Sequence, residues 1–292
     1  MIRYGPAGWS YKDWAGIVYP RPKPKGFDEL RYIARFFDTI EINSTFYRAA
    51  AEKTARSWLA RVEDRADFRF TAKLWRRFTH QRKEAWSGED VGQVRRAFDP
   101  LMEGGRLGAV LLQFPWSFRR AEDNLEWLGD LVREFSDFPL VLEMRHSSWN
   151  VPEFFAELRD WGVGFVNIDQ PLFHDSIAPS AHATAPVGYV RLHGRNYHDW
   201  FRDKAEPHER YNYLYPAREL EPWAERVKAL EAGTATEDVY AVTNNHYRGK
   251  GVTNALMLQS MVQGRPAPGP AGLFPEYGDV LQGYAEPVGE GE

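Results

Sequence analysis

The stretch FPLVLEMRHSSWNVPEFFAELRDWGVGFVNID (138–169) decides the fold. It opens on a short, near-continuous apolar run, as a strand covered on both faces does. A polar corner follows, and then VPEFFAELRDW (151–161), where Pro152 suits a first helical turn. VGFVNID (163–169) is apolar and β-branched again. Strand, corner, helix and strand make one βαβ unit.

The same kind of run recurs on both sides. Before it stand IRYGPAGWS (2–10), TIEINSTFY (39–47), DFRFTAKLW (67–75) and LGAVLLQFPW (107–116); after it come VGYVRLHG (187–194) and EDVYAVTNN (237–245). Helical spacing lies between them. FDELRYIARFF (27–37) places Leu30, Ile33, Ala34 and Phe37 on one face, and DNLEWLGDLVREF (123–135) repeats the pattern with Leu125, Leu128, Leu131 and Val132. PWAERVKALEAG (222–233) is expected to start at Pro222 and end at Gly233. Segments 54–61, 90–103 and 253–261 complete the set. Eight strands alternating with helices predict an α/β fold, a single-domain (β/α)₈ TIM barrel over residues 1–263. A doubly wound open sheet fits less well, because no Gly-rich phosphate loop follows the first strand. Stretches 170–186 and 195–217 read as long strand-end insertions, the usual place for function. Residues 264–292, rich in Pro and Gly, are expected to form a surface tail with little regular structure.

Composition narrows the chemistry. The chain has no cysteine, which excludes disulfides, thiolate zinc sites, iron–sulfur clusters and a cysteine nucleophile. Its net charge of −4 supplies no global field toward nucleic acid. MIRYGPAGWSYKDW lacks the basic start and apolar run of a secretory signal, and no stretch has the length of a membrane span, so a cytoplasmic protein with no membrane partner is expected. No protein partner can be inferred.

In a barrel the carboxyl ends of all strands meet at one mouth. The predicted strands end in Glu41 and Asn43, Lys73, Gln113, Glu143 with Arg145 and His146, Asp169, Arg191 with His193, and Asn244 with Asn245 and His246. A carboxylate inside an apolar strand must be paired, metal-bound or neutral. Glu41 and Glu143 therefore either form salt bridges with Lys73, Arg145 or Arg191, or divide acid and base work. Lys73 reads as an electrophile, a phosphate partner or an imine-forming amine; a counter-ion for Glu41 or Glu143 is the plainer reading. Nothing in the local sequence favours a Schiff base. His146, His193 and His246 with Glu41, Glu143 and Asp169 offer oxygen and nitrogen ligands, so a divalent metal is conceivable, but the spacings of helical or single-strand metal motifs are absent and it is not the favoured reading. Beyond that, the sequence leaves the cofactor unknown. Arg145, Arg191, Arg195 and Lys73 suit anions, and Trp9, Trp14, Trp75, Trp116, Trp149 and Trp200 stand near the top-side loops. Cation beside flat ring suits sugars, bases or single-stranded nucleic acid, while most such Trp are expected simply to pack loops. RPKPKG (21–26) reads as an exposed basic loop.

Seven segments taken together resemble the YecE-like family, also called domain of unknown function 72. They are GWSYKDW (8–14), FDTIEINSTFYR (37–48), FRFTAKLWRRFTH (68–80), LLQFPWSF (111–118), LVLEMRHSSW (140–149), YVRLHGRN (189–196) and VYAVTNNHYRGKGVTNAL (239–256). The resemblance implies a barrel. It also implies that Glu41, Asn43, Tyr47, Lys73, Gln113, Glu143 and Arg145 occupy the family's motif positions, as do His146, Trp149, Arg191, His193, Gly194, Asn244 and Asn245. One departure is Thr243, where the pattern often has Phe before the two asparagines. The fold is similar to barrels that cleave nucleic-acid backbones at metal sites, an analogy of fold only.

The resulting expectation is an enzyme, a hydrolase or lyase, acting on a phosphate-bearing or other anionic substrate at the barrel mouth. Glu143 is expected as general base, Lys73 and Arg191 as charge stabilisers, His193 as the acid and Glu41 as a second carboxylate. Arg145, Asn43, Tyr47, Gln113, His146, Trp149, Asp169, Asn244, Asn245 and Trp9 are the expected substrate contacts. The alternative is a non-catalytic nucleic-acid or nucleotide binding protein. A third reading makes the strand-end charges a salt-bridge network and puts function on another surface.

Overall fold

The computed structural model describes residues 1–202, 207–233 and 236–289. The expected runs form strands β1 (Ile2–Pro6), β2 (Thr39–Ile42), β3 (Arg69–Lys73), β4 (Leu107–Gln113), β5 (Leu140–Glu143), β6 (Gly164–Asp169), β7 (Val187–Leu192) and β8 (Asp238–Thr243). Each pairs in parallel with its sequence neighbour from β2 to β8, and β8 then pairs with β1. Closure between β1 and β2 rests on one bridge, Ala7 to Glu41, with the Gly8 N–H donating to the Glu41 carbonyl at 2.8 Å. Gly5 makes this approach feasible, since a Cβ there would lie 1.8 Å from the Thr39 carbonyl oxygen. The (β/α)₈ barrel expected from the strand count is the observed fold.

Around it lie α1 (Glu29–Ile33), α2 (Ser44–Tyr47), α3 (Glu52–Arg61), α4 (Arg76–Thr79), α5 (Gly88–Glu103) and α6 (Glu122–Glu134). Then come α7 (Pro152–Trp161), α8 (Pro207–Arg210), α9 (Ala217–Glu231), α10 (Lys250–Gln263) and α11 (Phe274–Leu281). α7 behaves as its sequence predicts: Pro152 lies in the first turn and Gly162 ends it at φ 68°. α9 does not start at Pro222. It begins at Ala217, with Pro216 as the residue before the helix and Pro222 inside it. The sequence offers two prolines as starts, and the earlier one wins because Leu220, Trp223, Ala224, Val227 and Leu230 then share one buried face.

The expectation of an irregular tail is also corrected. β9 (Ala267–Pro270) and β10 (Ala285–Val288) form a parallel two-stranded ladder flanking α11. Prolines 268, 270 and 287 are compatible with it because both strands are edges, where alternate N–H groups need no partner. Ala267, Leu273, Tyr277, Leu281 and Ala285 are buried, so the segment is part of the core. Residues 290–292 of the expected tail lie outside the described residues. No helix among the described residues is long and apolar enough to cross a membrane.

Candidate functional site at the barrel mouth

Glu41, Lys73, Gln113, Glu143, Asp169 and Arg191 stand in the last two positions of six different strands. Arg191 is their hub. Its Nε and NH2 donate to the two oxygens of Glu41 at 2.9 and 2.6 Å, and its NH1 donates to Glu143 at 3.0 Å. Glu41 also accepts from the Tyr189 hydroxyl at 2.9 Å, and Arg145 donates to Glu143 at 3.0 Å. Glu41 and Glu143 are 0% exposed and Arg191 1%, so these pairs stand in a low-dielectric interior. Burial alone would favour neutral Glu143; His193, Arg191 and Arg145 instead hold it well below the usual carboxylate range. Burial likewise disfavours a charged Arg191, but Glu41 and Glu143 keep its guanidinium firmly protonated.

His193 completes the cluster as a neutral ring. Burial pushes its pKa down to about 3, opposed by the Glu143 carboxylate and reinforced by Arg145 and Arg191. Nε2 lies 3.2 Å from a Glu143 oxygen, and Nδ1 lies 3.1 Å from the Asn244 amide nitrogen. One tautomer satisfies both, with Nε2–H donating to Glu143 and Nδ1 accepting from Asn244.

Lys73 is the exception among these charges. Nζ donates to Gln113 Oε1 at 3.0 Å and lies 4.0 Å from the centre of the Phe46 ring. Among the described residues no carboxylate lies within 4.0 Å of it. The Gln113 amide is held in place by its own NH2 group, which donates to the Phe114 carbonyl at 2.7 Å. The Lys73 carbonyl accepts from the Thr45 hydroxyl at 2.7 Å, tying the end of β3 to α2. Desolvation, reinforced by Arg191 and opposed by Glu41 and Glu143, pushes the Lys73 amine down to about 7.

Above this layer lies a cavity of about 680 Å³, the size of a small-molecule site. Of the residues expected from sequence, Trp9, Asn43, Tyr47, Lys73, Arg191 and Asn244 line it. Glu41, Glu143, Arg145, His193 and Gln113 do not. They stand behind the lining and hold Arg191 and Lys73. Glu143 as base and His193 as acid find no support in this geometry: neither lines the cavity, Glu143 is engaged in its ion pairs, and the single N–H of the neutral His193 ring is turned toward Glu143.

Four expected contacts lie elsewhere. Asp169 is buried and saturated, accepting from Arg195 at 2.8 and 2.7 Å, Tyr215 at 2.8 Å and Trp223 at 2.7 Å. It clasps the 195–217 insertion to the barrel. His146 caps the turn after β5, its Nδ1 accepting from the Ser148 N–H at 3.1 Å. Trp149 is buried and donates to the Phe118 carbonyl at 2.7 Å. The Asn245 amide donates to the Tyr213 carbonyl and to Asn254, each at 2.8 Å. Thr243, the departure from the family pattern, donates its hydroxyl to the Gly251 carbonyl at 2.8 Å. Among the described residues no group of three or more His, Asp or Glu is placed to hold a metal ion.

Four lining aromatics escaped the sequence reading: Tyr11, Phe46, Tyr211 and Tyr247. Tyr11 stacks on His246 with ring centres 4.2 Å apart, and Tyr211 comes from the insertion that Asp169 clasps. Phe46 sits in INSTFYR directly after β2, a signal that was available; Tyr211 is separated by a long loop from any strand end.

A family model described as "Protein of unknown function DUF72" matches residues 3–272. The UPF0759 protein YunF of Bacillus subtilis (strain 168) is 26% identical over 275 residues, covering 90% of this chain and 95% of that one. The UPF0759 protein YecE of Escherichia coli (strain K12) is 29% identical over 159 residues, 54% of this chain and 51% of that one. The crystal structure of a DUF72 family protein (TM1631) from Thermotoga maritima MSB8 superposes with a TM-score of 0.77 at 31% identity, covering 90% of this chain and 99% of that one. A DUF72 family protein (EF0366) from Enterococcus faecalis V583 shares the fold at 24% identity and a TM-score of 0.77, covering 90% of this chain and 96% of that one.

Proposed function

This chain belongs to the DUF72 family, and from that premise we propose that its barrel mouth is the active site of an enzyme acting on a small anionic substrate. Family membership supplies no reaction, so the reading rests on the site. One observation carries it. Every other charge in the strand-end cluster has an opposite partner, whereas Lys73 is buried against a ring and a neutral amide and lines the cavity. An anion entering there supplies the missing partner and raises the Lys73 pKa. The Arg191 edge and the Asn43 and Asn244 amides line the same space, and Tyr11, Phe46 and Tyr211 provide flat apolar walls for the rest of the ligand. The size of the cavity, about 680 Å³, suits one small molecule, such as a sugar phosphate or a mononucleotide, better than a nucleic-acid strand.

Sulfate, which does not titrate near neutrality, tests this by calorimetry. Binding that needs protonated Lys73 weakens as pH rises through about 7. The loss between pH 6 and 8 is expected to be about tenfold, with proton uptake seen as a buffer-dependent enthalpy. Lys73→Met should abolish it. Sulfate binding that ignores both pH and this substitution would remove the reading.

A further inference from the structure

Within that proposed active site, we infer that Lys73 Nζ is a nucleophile that forms an imine with a carbonyl group on the anionic substrate, making the substrate class aldehydes or ketones bearing a carboxylate or phosphate. The inference rests on the anion-site reading and deepens it.

Three features of the geometry point to covalent use over simple charge pairing. A lysine built to hold an anion by charge alone gains from staying protonated, and this is usually achieved with water or a nearby carboxylate. Here Phe46 sheathes the amine and Gln113 offers only a neutral acceptor. Second, the carboxylates that could have paired with Lys73 are committed to Arg191 at 2.6 and 3.0 Å. Third, the Gln113 amide is fixed by its bond to the Phe114 carbonyl, so its oxygen faces Nζ. It takes one N–H and leaves the nitrogen lone pair for another direction. The depressed pKa, about 7, makes that lone pair available at neutral pH.

The step balances without a co-reactant. The Nζ lone pair attacks the carbonyl carbon while the carbonyl π pair moves to oxygen, giving a carbinolamine after proton transfer from nitrogen to oxygen. That oxygen leaves as water, carrying both hydrogens of the original amine, as the C=N bond forms. A solvent proton then charges the imine nitrogen. The iminium withdraws electrons from the adjacent carbon, which is what C–C cleavage or enolisation requires, so a lyase is favoured over a hydrolase. The Arg191 edge, Asn43 and Asn244 line the space left for the substrate's anionic group.

Borohydride trapping of the full-length protein tests it, with pyruvate as the carboxylate probe and dihydroxyacetone phosphate as the phosphate probe. Peptide mapping should place a reduced adduct on Lys73 at least tenfold above any other lysine. Its yield should rise with pH through about 7, opposite to sulfate binding, and sulfate should suppress it. Lys73→Arg, which keeps a cation but cannot form an imine, should show no adduct there. If sulfate binds as described and neither probe marks Lys73 above the surface lysines, the imine is overturned and the anion site stands. If Lys73 is trapped but sulfate neither binds nor protects, the anion reading falls and the nucleophile remains. Failure of sulfate and both probes removes both.

Discussion

Glu143 shows how much of a site a single residue can reveal before its partners are known. That it ends a strand at the mouth was legible, because it closes an apolar run; that it must be paired followed from burial. Which partner it takes was not legible, since Lys73, Arg145 and Arg191 all stand at strand ends. The choice depends on side-chain direction around the barrel, and Arg191 reaches both Glu41 and Glu143. The same contacts change what a substitution should do. Glu143→Gln leaves Arg191, Arg145 and His193 around an uncharged group, and breaking such a buried pair costs about 3–5 kcal/mol. We expect a melting temperature lower by several degrees, measured by circular dichroism. An unchanged melting temperature with lost turnover would instead restore Glu143 as a chemical participant. Asp169 was misread for a related reason: a strand-end carboxylate signals a partner, and here the partners are Arg195, Tyr215 and Trp223 from the insertion and α9, not a ligand.

At the scale of elements, periodicity located the strands β1 to β8 and the helices α1, α3, α5, α6, α7, α9 and α10, because each buries a repeating apolar face. It failed where composition spoke louder than pattern. The C-terminal segment looked irregular because Pro and Gly dominate it, yet its apolar residues are spaced to cover α10. Residues Gly251 to Ser260 of that helix are buried without a break, so it needs cover on every side. β9 runs close enough that a Cβ on Gly269 would lie 2.8 Å from Leu256 Cδ1. Truncation after Gln263 would remove Leu273, Tyr277 and Leu281 from the core. At roughly 1.5–3 kcal/mol for each large apolar side chain, the loss is comparable to a typical domain's whole stability of about 5–15 kcal/mol. The truncated chain should be aggregated or unfolded by size-exclusion chromatography and circular dichroism. A monomeric, cooperatively melting product would show that α10 does not depend on this cover.

For the molecule as a whole, the mouth makes stability depend on pH in one consistent direction. Glu143 is held below its ordinary range, so its contribution is full above the unfolded value of 4.5 and is lost as pH falls below it. His193 is kept neutral down to about 3, whereas the unfolded chain's histidine takes up a proton below 6.5, so stability falls as pH drops through that window. Lys73 acts on the alkaline side. Between about 7 and 10.5 the unfolded lysine keeps a proton that the folded one has lost, so stability rises with pH there. Burial sets this window first by lowering the Lys73 pKa; Arg191 and Arg145 lower it further, and Glu41 and Glu143 raise it. His80, pushed down to about 4 mainly by burial and then by Lys73, stays neutral throughout that range. The melting temperature should therefore climb from pH 6 to pH 9. Lys73→Met should flatten the part above pH 7 and make the protein more stable at neutrality by at least about 1 kcal/mol, or roughly 2 °C or more. A wild-type curve that is flat or falling over pH 7–9 would mean that Lys73 stays protonated in the fold, and would count against both its anion-dependent protonation and its nucleophilic role. A rising curve, abolished by a substitution that also abolishes sulfate binding, would identify Lys73 as a place where the barrel gives up stability for function.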